Sequence, residues 1–212
     1  MYDELIAVHT IMRRGAVLAA AGLDRLAADE EVSRQAAVRV ARWQAEFIHH
    51  HHASEDELFW PVLRRLFPDA VASLDDLTAQ HHKLDAELKD LTAAVNALND
   101  NTQATGAAST IAFAAAAAAA NVRDTLAAHL DAEEPVLREL FPQTPTAEIQ
   151  RLRKAIVDGA PRSGPDLVLG LLADPSPAPG HDEITQNFPA PVRLLRPLLL
   201  KRYQATKRSL GS

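Results

Sequence analysis

HHHHASEDELFWPVLRRLFP, residues 49–68, and its partial echo HLDAEEPVLRELFP, residues 129–142, decide how this chain is read. In each, a histidine is followed four residues later by a glutamate: His51 by Glu55, and His129 by Glu133. On an α-helix that spacing puts both side chains on one face, one turn apart. Each stretch then closes on Pro-Val-Leu-Arg-x-Leu-Phe-Pro, so two helices are expected to run parallel and finish alike. The prolines inside them, Pro61 and Pro135, each remove a backbone donor and are expected to kink their helices.

Working outward, helical periodicity covers four segments: Tyr2 to Ala27, Glu30 to Phe67, Ala70 to Leu98 and Ala107 to Phe141. Breaks at Ala27–Glu30, Phe67–Asp69 and Asn99–Gly106 separate them. Short links between long helices favour antiparallel neighbours. The expected fold is therefore all-α: an up-down-up-down four-helix bundle over residues 1–142, with a C-terminal extension over 143–212. The extension reads as a short helix near Glu148 to Ala160, a loop-like stretch to about Pro191, and a basic amphipathic tail from Val192 to Tyr203. Docking of that tail on the bundle is preferred over contact with another protein or an anionic surface, which stays open as the alternative.

Composition agrees with long helices: alanine and leucine abound, while glycine numbers 8 and aromatic residues make up 5% of 212 residues. With no cysteine, disulfides, thiolate nucleophiles and cysteine-ligated zinc or iron–sulfur clusters are excluded, so any metal is held by nitrogen and oxygen. The net charge of −6 hides an asymmetry, because nothing after Glu183 is acidic while Arg193, Arg196, Lys201, Arg202, Lys207 and Arg208 are basic. An acidic body argues against nucleic-acid binding. The start, MYDELIAVHT, lacks the basic then apolar pattern of a secretory signal, so a cytoplasmic protein is expected. The alanine-rich run from Ile111 to Ala120 falls short of the roughly 20 residues a membrane span needs, and no transmembrane segment is expected.

Placing residues 100° apart sorts the histidines. On the first helix His9 shares a face with Leu5, Met12 and Ala16. On the second, His51 and Glu55 share a face with Ile48 and Leu58; His49 points nearly opposite, with His50 and His52 flanking. On the third, His81 lines up with Leu77 and Leu84, and Asp85 lies one turn further on the same side. On the fourth, His129 and Glu133 share a face with Val122 and Val136. Asp56, Glu57, Glu134 and Arg13 read as exposed charges. With a rise of about 1.5 Å per residue, all these inward groups reach a common depth to within a turn or so.

A buried layer of four histidines and two or three carboxylates is expensive unless a cation sits among them. Iron, zinc, copper and nickel all accept imidazole, and carboxylates that bridge favour a metal pair over one tetrahedral zinc. The candidate ligands are His9, His51, Glu55, His81, Asp85, His129 and Glu133.

The pattern His9, His51-xxx-Glu55, His81, His129-xxx-Glu133 resembles the histidine–histidine–glutamate (HHE) cation-binding pattern of the hemerythrin-like family, over about Met1 to Pro142. The resemblance implies two non-haem iron ions, oxo- or hydroxo-bridged, with His9 and His51 on one, His81 and His129 on the other, and Glu55 and Glu133 bridging. It also implies a small ligand: O2, peroxide or nitric oxide. Asp85 stands where oxygen-carrying members have a second histidine on the third helix. Sensing or detoxification, including a peroxide- or nitric-oxide-consuming oxidoreductase activity, is therefore preferred over oxygen carriage. An iron-handling protein, or a helical interaction module with a structural metal, is the alternative.

Overall fold

The computed structural model describes residues 1–100, 107–159 and 162–212, with residues 107–109 described by backbone alone. Four long helical rods form the body: α1 (Tyr2–Ala27), α2 (Arg34–Ser54) continued through a π-turn (Glu55–Phe59) into α3 (Trp60–Leu66), α4 (Val71–Asp100) and α5 (Ala107–Leu140). Among the described residues there is no strand. The third corner beyond Asp100, residues 101–106, lies outside the described residues, as does Ala160.

Local chemistry sets the boundaries. Ser33 caps α2 by accepting the Ala36 N–H at 3.2 Å. The second rod thus begins three to four residues later than periodicity suggests, after a corner in which Asp29 takes φ 58°. Pro68 opens a short 3-10 turn, Pro68–Ala70, that reverses the chain into α4. The two internal prolines are accommodated differently. Pro61 follows the π-turn, in which the Trp60 N–H reaches back to Glu55 O. Pro135 lies inside an unbroken α5.

α1 packs on α2 and α5, and α4 packs on the same two, so α1 faces α4 and α2 faces α5 across the diagonals. The interior falls into two apolar clusters. One, containing Met12, Leu23, Ile48, Leu84, Leu88, Leu126 and Leu130, fills most of the bundle. The other, containing Phe59, Trp60, Leu74, Leu77, Leu137 and Phe141, fills the end near the chain start. Between them lies a layer of buried polar side chains. By length and composition α1 alone among the described helices would suffice to cross a membrane, but 56% of that span is buried in the bundle and it delivers His9 to the layer.

The extension folds back onto both ends. α6 (Thr146–Gly159) buries Leu152 in the smaller cluster and pairs Arg153 with Glu4 at 2.6 and 2.8 Å. The stretch expected to be loop-like instead contains α7 (Pro165–Ala173) and α8 (His181–Asn187). Leu167, Leu169, Leu171 and Leu172 of α7 are buried. An apolar run without a polar face is what a helix needs when it is covered on several sides, and α7 lies between α1 and α10 (Arg196–Ser209). Gly170 makes this possible, because a Cβ there would lie 2.0 Å from the Tyr203 ring. The tail's cations are partly consumed in docking: Arg202 pairs with buried Asp166, which Arg39 also holds at 2.6 Å, and Lys207 pairs with Asp174. A short helix α9 (Ala190–Leu194) precedes α10 and leaves Leu194 exposed.

Candidate metal centre

Six of the seven residues singled out from sequence converge on the polar layer. His9, Glu55, His81, His129 and Glu133 are each at most 3% exposed, and the His51 side chain is 11% exposed. His51 Nε2 lies 3.2 Å from Glu55 Oε1, and His129 Nε2 lies 3.1 Å from Glu133 Oε2. Each carboxylate also reaches across to another helix. Glu55 Oε2 is 3.6 Å from His81 Nε2, and Glu133 Oε2 is 3.9 Å from His9 Nε2.

The seventh, Asp85, is not brought to the layer. It is partly exposed and pairs with His49 at 2.9 Å on the outside of the bundle. The inward stripe of α4 runs Leu74, Leu77, His81, Leu84, Leu88, Leu91, alternating steps of three and four. The step after His81 is three, so Leu84 takes the interior and Asp85 is turned out. His52, which flanked the expected inward position, is instead 1% exposed. From Ile48, steps of three and four reach His51 and His52 alike. A stripe wider than 100° admits both, and the π-turn that follows carries Glu55 and Phe59 inward as well.

Asp56 and Glu134, which read as exposed charges, and Gln80, which the sequence did not single out, act on the layer. His9 Nδ1 is 3.2 Å from Glu134 Oε1, which Arg13 also contacts at 3.2 Å. His81 Nδ1 is 3.0 Å from Asp56 Oδ1, and His129 Nδ1 is 3.1 Å from Gln80 Oε1. An ionised carboxylate only accepts, so His9 and His81 must carry their protons on Nδ1. Partners of this kind fix the tautomer and orientation of metal-binding imidazoles. One signal was legible: Asp56 and Glu134 each directly follow an inward glutamate, giving Glu-Asp and Glu-Glu at matching places in the two motifs. Gln80 carried no such mark.

With those protons turned outward, the ring nitrogens facing inward present lone pairs. His81 Nε2 and His129 Nε2 approach to 3.1 Å. Two lone pairs at hydrogen-bond distance repel unless a proton or a cation lies between or beside them. His9 Nε2, His51 Nε2, both nitrogens of His52 and all four oxygens of Glu55 and Glu133 are buried without a hydrogen-bond partner among the described residues. Each such group costs about 1–3 kcal/mol if left unsatisfied. Together they form three sets whose donor atoms lie within 4.8 Å of one another: His9–His51–Glu55, Glu55–His81–Glu133 and His52–His81–His129. Nitrogen and oxygen donors converging without hydrogen-bond partners suit a cationic transition metal, whose binding would displace the proton that burial favours on Glu55.

Electrostatics favours the ligand forms of the histidines. Burial pushes His51 and His52 well below the usual imidazole range, and burial with the facing His129 lowers His81. Burial and the facing Glu133 carboxylate push Glu55 well above the usual carboxylate range. Burial also opposes ionisation of Glu133, but His9 and His129 outweigh it and hold that carboxyl below its usual range.

A pH dependence follows for the metal-free chain. The unfolded histidines titrate near 6.5, so below that pH the unfolded state binds protons that folded His51, His52 and His81 refuse. Glu55 opposes this, because the folded chain retains a proton there that the unfolded chain has released. Three groups against one leave a net loss of stability as pH falls, with a slope of about 1.4 kcal/mol per pH unit for each net proton. Urea unfolding at pH 7.5 and 5.5 is expected to give the smaller free energy at pH 5.5. Equal or greater stability at the lower pH would contradict this account.

Residues 1–144 match the hemerythrin HHE cation binding domain. No curated protein and no solved structure matches the chain significantly. The family match spans all four rods of the bundle and every residue of the polar layer, and the layer has the donors that a cation requires. The chain belongs to the hemerythrin HHE cation-binding family.

Proposed function

We propose that the chain holds two non-haem iron ions in this layer and uses them to bind or react with O2, peroxide or nitric oxide, in sensing or detoxification rather than carriage. The observation that carries this reading is the reach of the two glutamates. Glu55 lies within donor distance of both His51 and His81, and Glu133 of both His129 and His9. A carboxylate that faces both halves of a site suits a metal pair better than a single ion. His9 and His51 would hold one iron, His81 and His129 the other, with Glu55 and Glu133 between them.

A bound iron pair supplies electrons to, or accepts them from, a small ligand. The chain's own residues prepare the surroundings. Asp56, Glu134 and Gln80 hold the Nδ1 protons of His81, His9 and His129 outward. The apolar clusters on either side keep bulk water away and strengthen every charge interaction in the layer. A shallow surface groove between α4 and α5, lined by Gln80, Lys83, Thr125 and His129, lies against the outer edge of the layer. Only the Gln80 and His129 side chains, paired at 3.1 Å, separate that edge from solvent, which favours an approachable site over a closed, purely structural ion.

The test is anaerobic loading with ferrous iron, metal analysis, and optical spectra before and after O2, peroxide or nitric oxide. About two irons per chain and a new charge-transfer absorption with one of the three is the expected result. Failure to take up iron would refute the reading. Two irons with no spectral response to any of the three would leave a structural or iron-handling role.

A further inference from the structure

The assignment above leaves one buried histidine without a task. His52 is 1% exposed, and neither of its ring nitrogens has a hydrogen-bond partner among the described residues. A neutral imidazole has one donor and one acceptor to satisfy, and leaving each unsatisfied costs about 1–3 kcal/mol. Leucine would pack at this position without that cost. The ring is instead set among other ligand candidates, flat against His81 with centroids 4.2 Å apart and edge-on to His129 at 5.0 Å. One nitrogen of each of the three lies within 4.8 Å of the others, and all three residues are buried.

We infer that His52 is a fifth imidazole ligand, added to the metal of His81 and His129, so that adjacent histidines of one helical turn serve different ions. His51 joins His9 and Glu55, while His52 joins His81 and His129. This inference rests on the metal-pair reading and adds an inequality to it: one ion takes three histidine nitrogens and the other two. It also explains the histidine run. His49 is exposed and occupied with Asp85, but the next turn reaches the layer with two successive side chains. The third nitrogen that Asp85 does not supply from α4 comes from α2.

The experiment titrates the metal-free full chain with cobalt(II), a spectroscopically visible substitute for iron. The unaltered chain is expected to bind two cobalt ions. His52→Leu is expected to weaken one of them beyond the 10–100-fold typical of losing an outer hydrogen-bond partner, while leaving the other in place. In the dicobalt protein, the paramagnetically shifted imidazole N–H resonances should number five, and four in His52→Gln at saturating cobalt. Leucine removes an unpartnered imidazole from the core, so metal-free His52→Leu should melt no lower than the unaltered chain. His49→Ala should bind cobalt normally. Two cobalt ions at unaltered affinity in both His52 variants would overturn the inference and leave the metal pair standing. No cobalt binding by the unaltered chain would bring down the metal pair and this inference together.

Discussion

Glu133→Ala is expected to leave at most one tightly held iron per chain, and Glu55→Ala the same, against the two proposed for the unaltered protein. Imidazole ligands bring no charge, so among the side chains of the layer only these two carboxylates would offset the positive charge of the proposed ions. Removing one leaves metal charge uncompensated among Leu74, Leu77, Leu84 and Leu137, all at most 2% exposed. Uncompensated buried charge costs several kcal/mol, and 1.4 kcal/mol is already a tenfold change in affinity. Geometry adds to the loss: Glu133 Oε2 stands 3.1 Å from His129 and 3.9 Å from His9, so its removal takes away the one carboxylate that faces both of these histidines. Metal analysis after iron loading, with His49→Ala carried alongside, checks both variants. His49→Ala is expected to keep its full metal content, because that side chain faces outward to Asp85. Two irons in both glutamate variants, or equal losses in all three, would defeat the assignment of faces.

Stripping the metal from the loaded protein is expected to lower its melting temperature by roughly 8–16 °C. A ligand present at about 1,000 times its dissociation constant stabilises the folded state by about 4 kcal/mol, and in a chain of this size each kcal/mol moves the midpoint by about 2–4 °C. The structural cause is the set of buried donor atoms that face one another without hydrogen-bond partners among the described residues. His81 and His129 present nitrogens 3.1 Å apart, and no oxygen of Glu55 or Glu133 has a hydrogen-bond partner among the described residues. Differential scanning calorimetry before and after chelation, followed by reloading, measures the change and its reversibility. A midpoint that does not move would mean that the layer is satisfied without a cation.

Much of the fold was legible because helical bundles are governed by local rules. The 3.6-residue period and the Phe-Pro stops mark the four rods, and short corners fix their antiparallel order, although the start of the second at the Ser33 cap was missed. α7 escaped because its Leu-Val-Leu-Gly-Leu-Leu run has no polar face and stands between Gly164 and Pro175, which read as loop residues. Only its burial between α1 and α10 makes such a segment a helix of the core.

The candidate centre divides in the same way. His9, His51, Glu55, His81, His129 and Glu133 were determined by the sequence itself, since each combines an inward angle with a common depth, and both follow from residue number. The choice between His52 and Asp85 belonged to the tertiary structure. Each lies within about 40° to 100° of an inward ligand, and the direction that counts as inward depends on how wide the bundle is there and how a π-turn shifts the helix. The roles of Asp56, Glu134 and Gln80 were likewise decided in three dimensions. Their hydrogen bonds to His81, His9 and His129 cross from one helix to another, and no periodicity within a single helix encodes which neighbour it will meet.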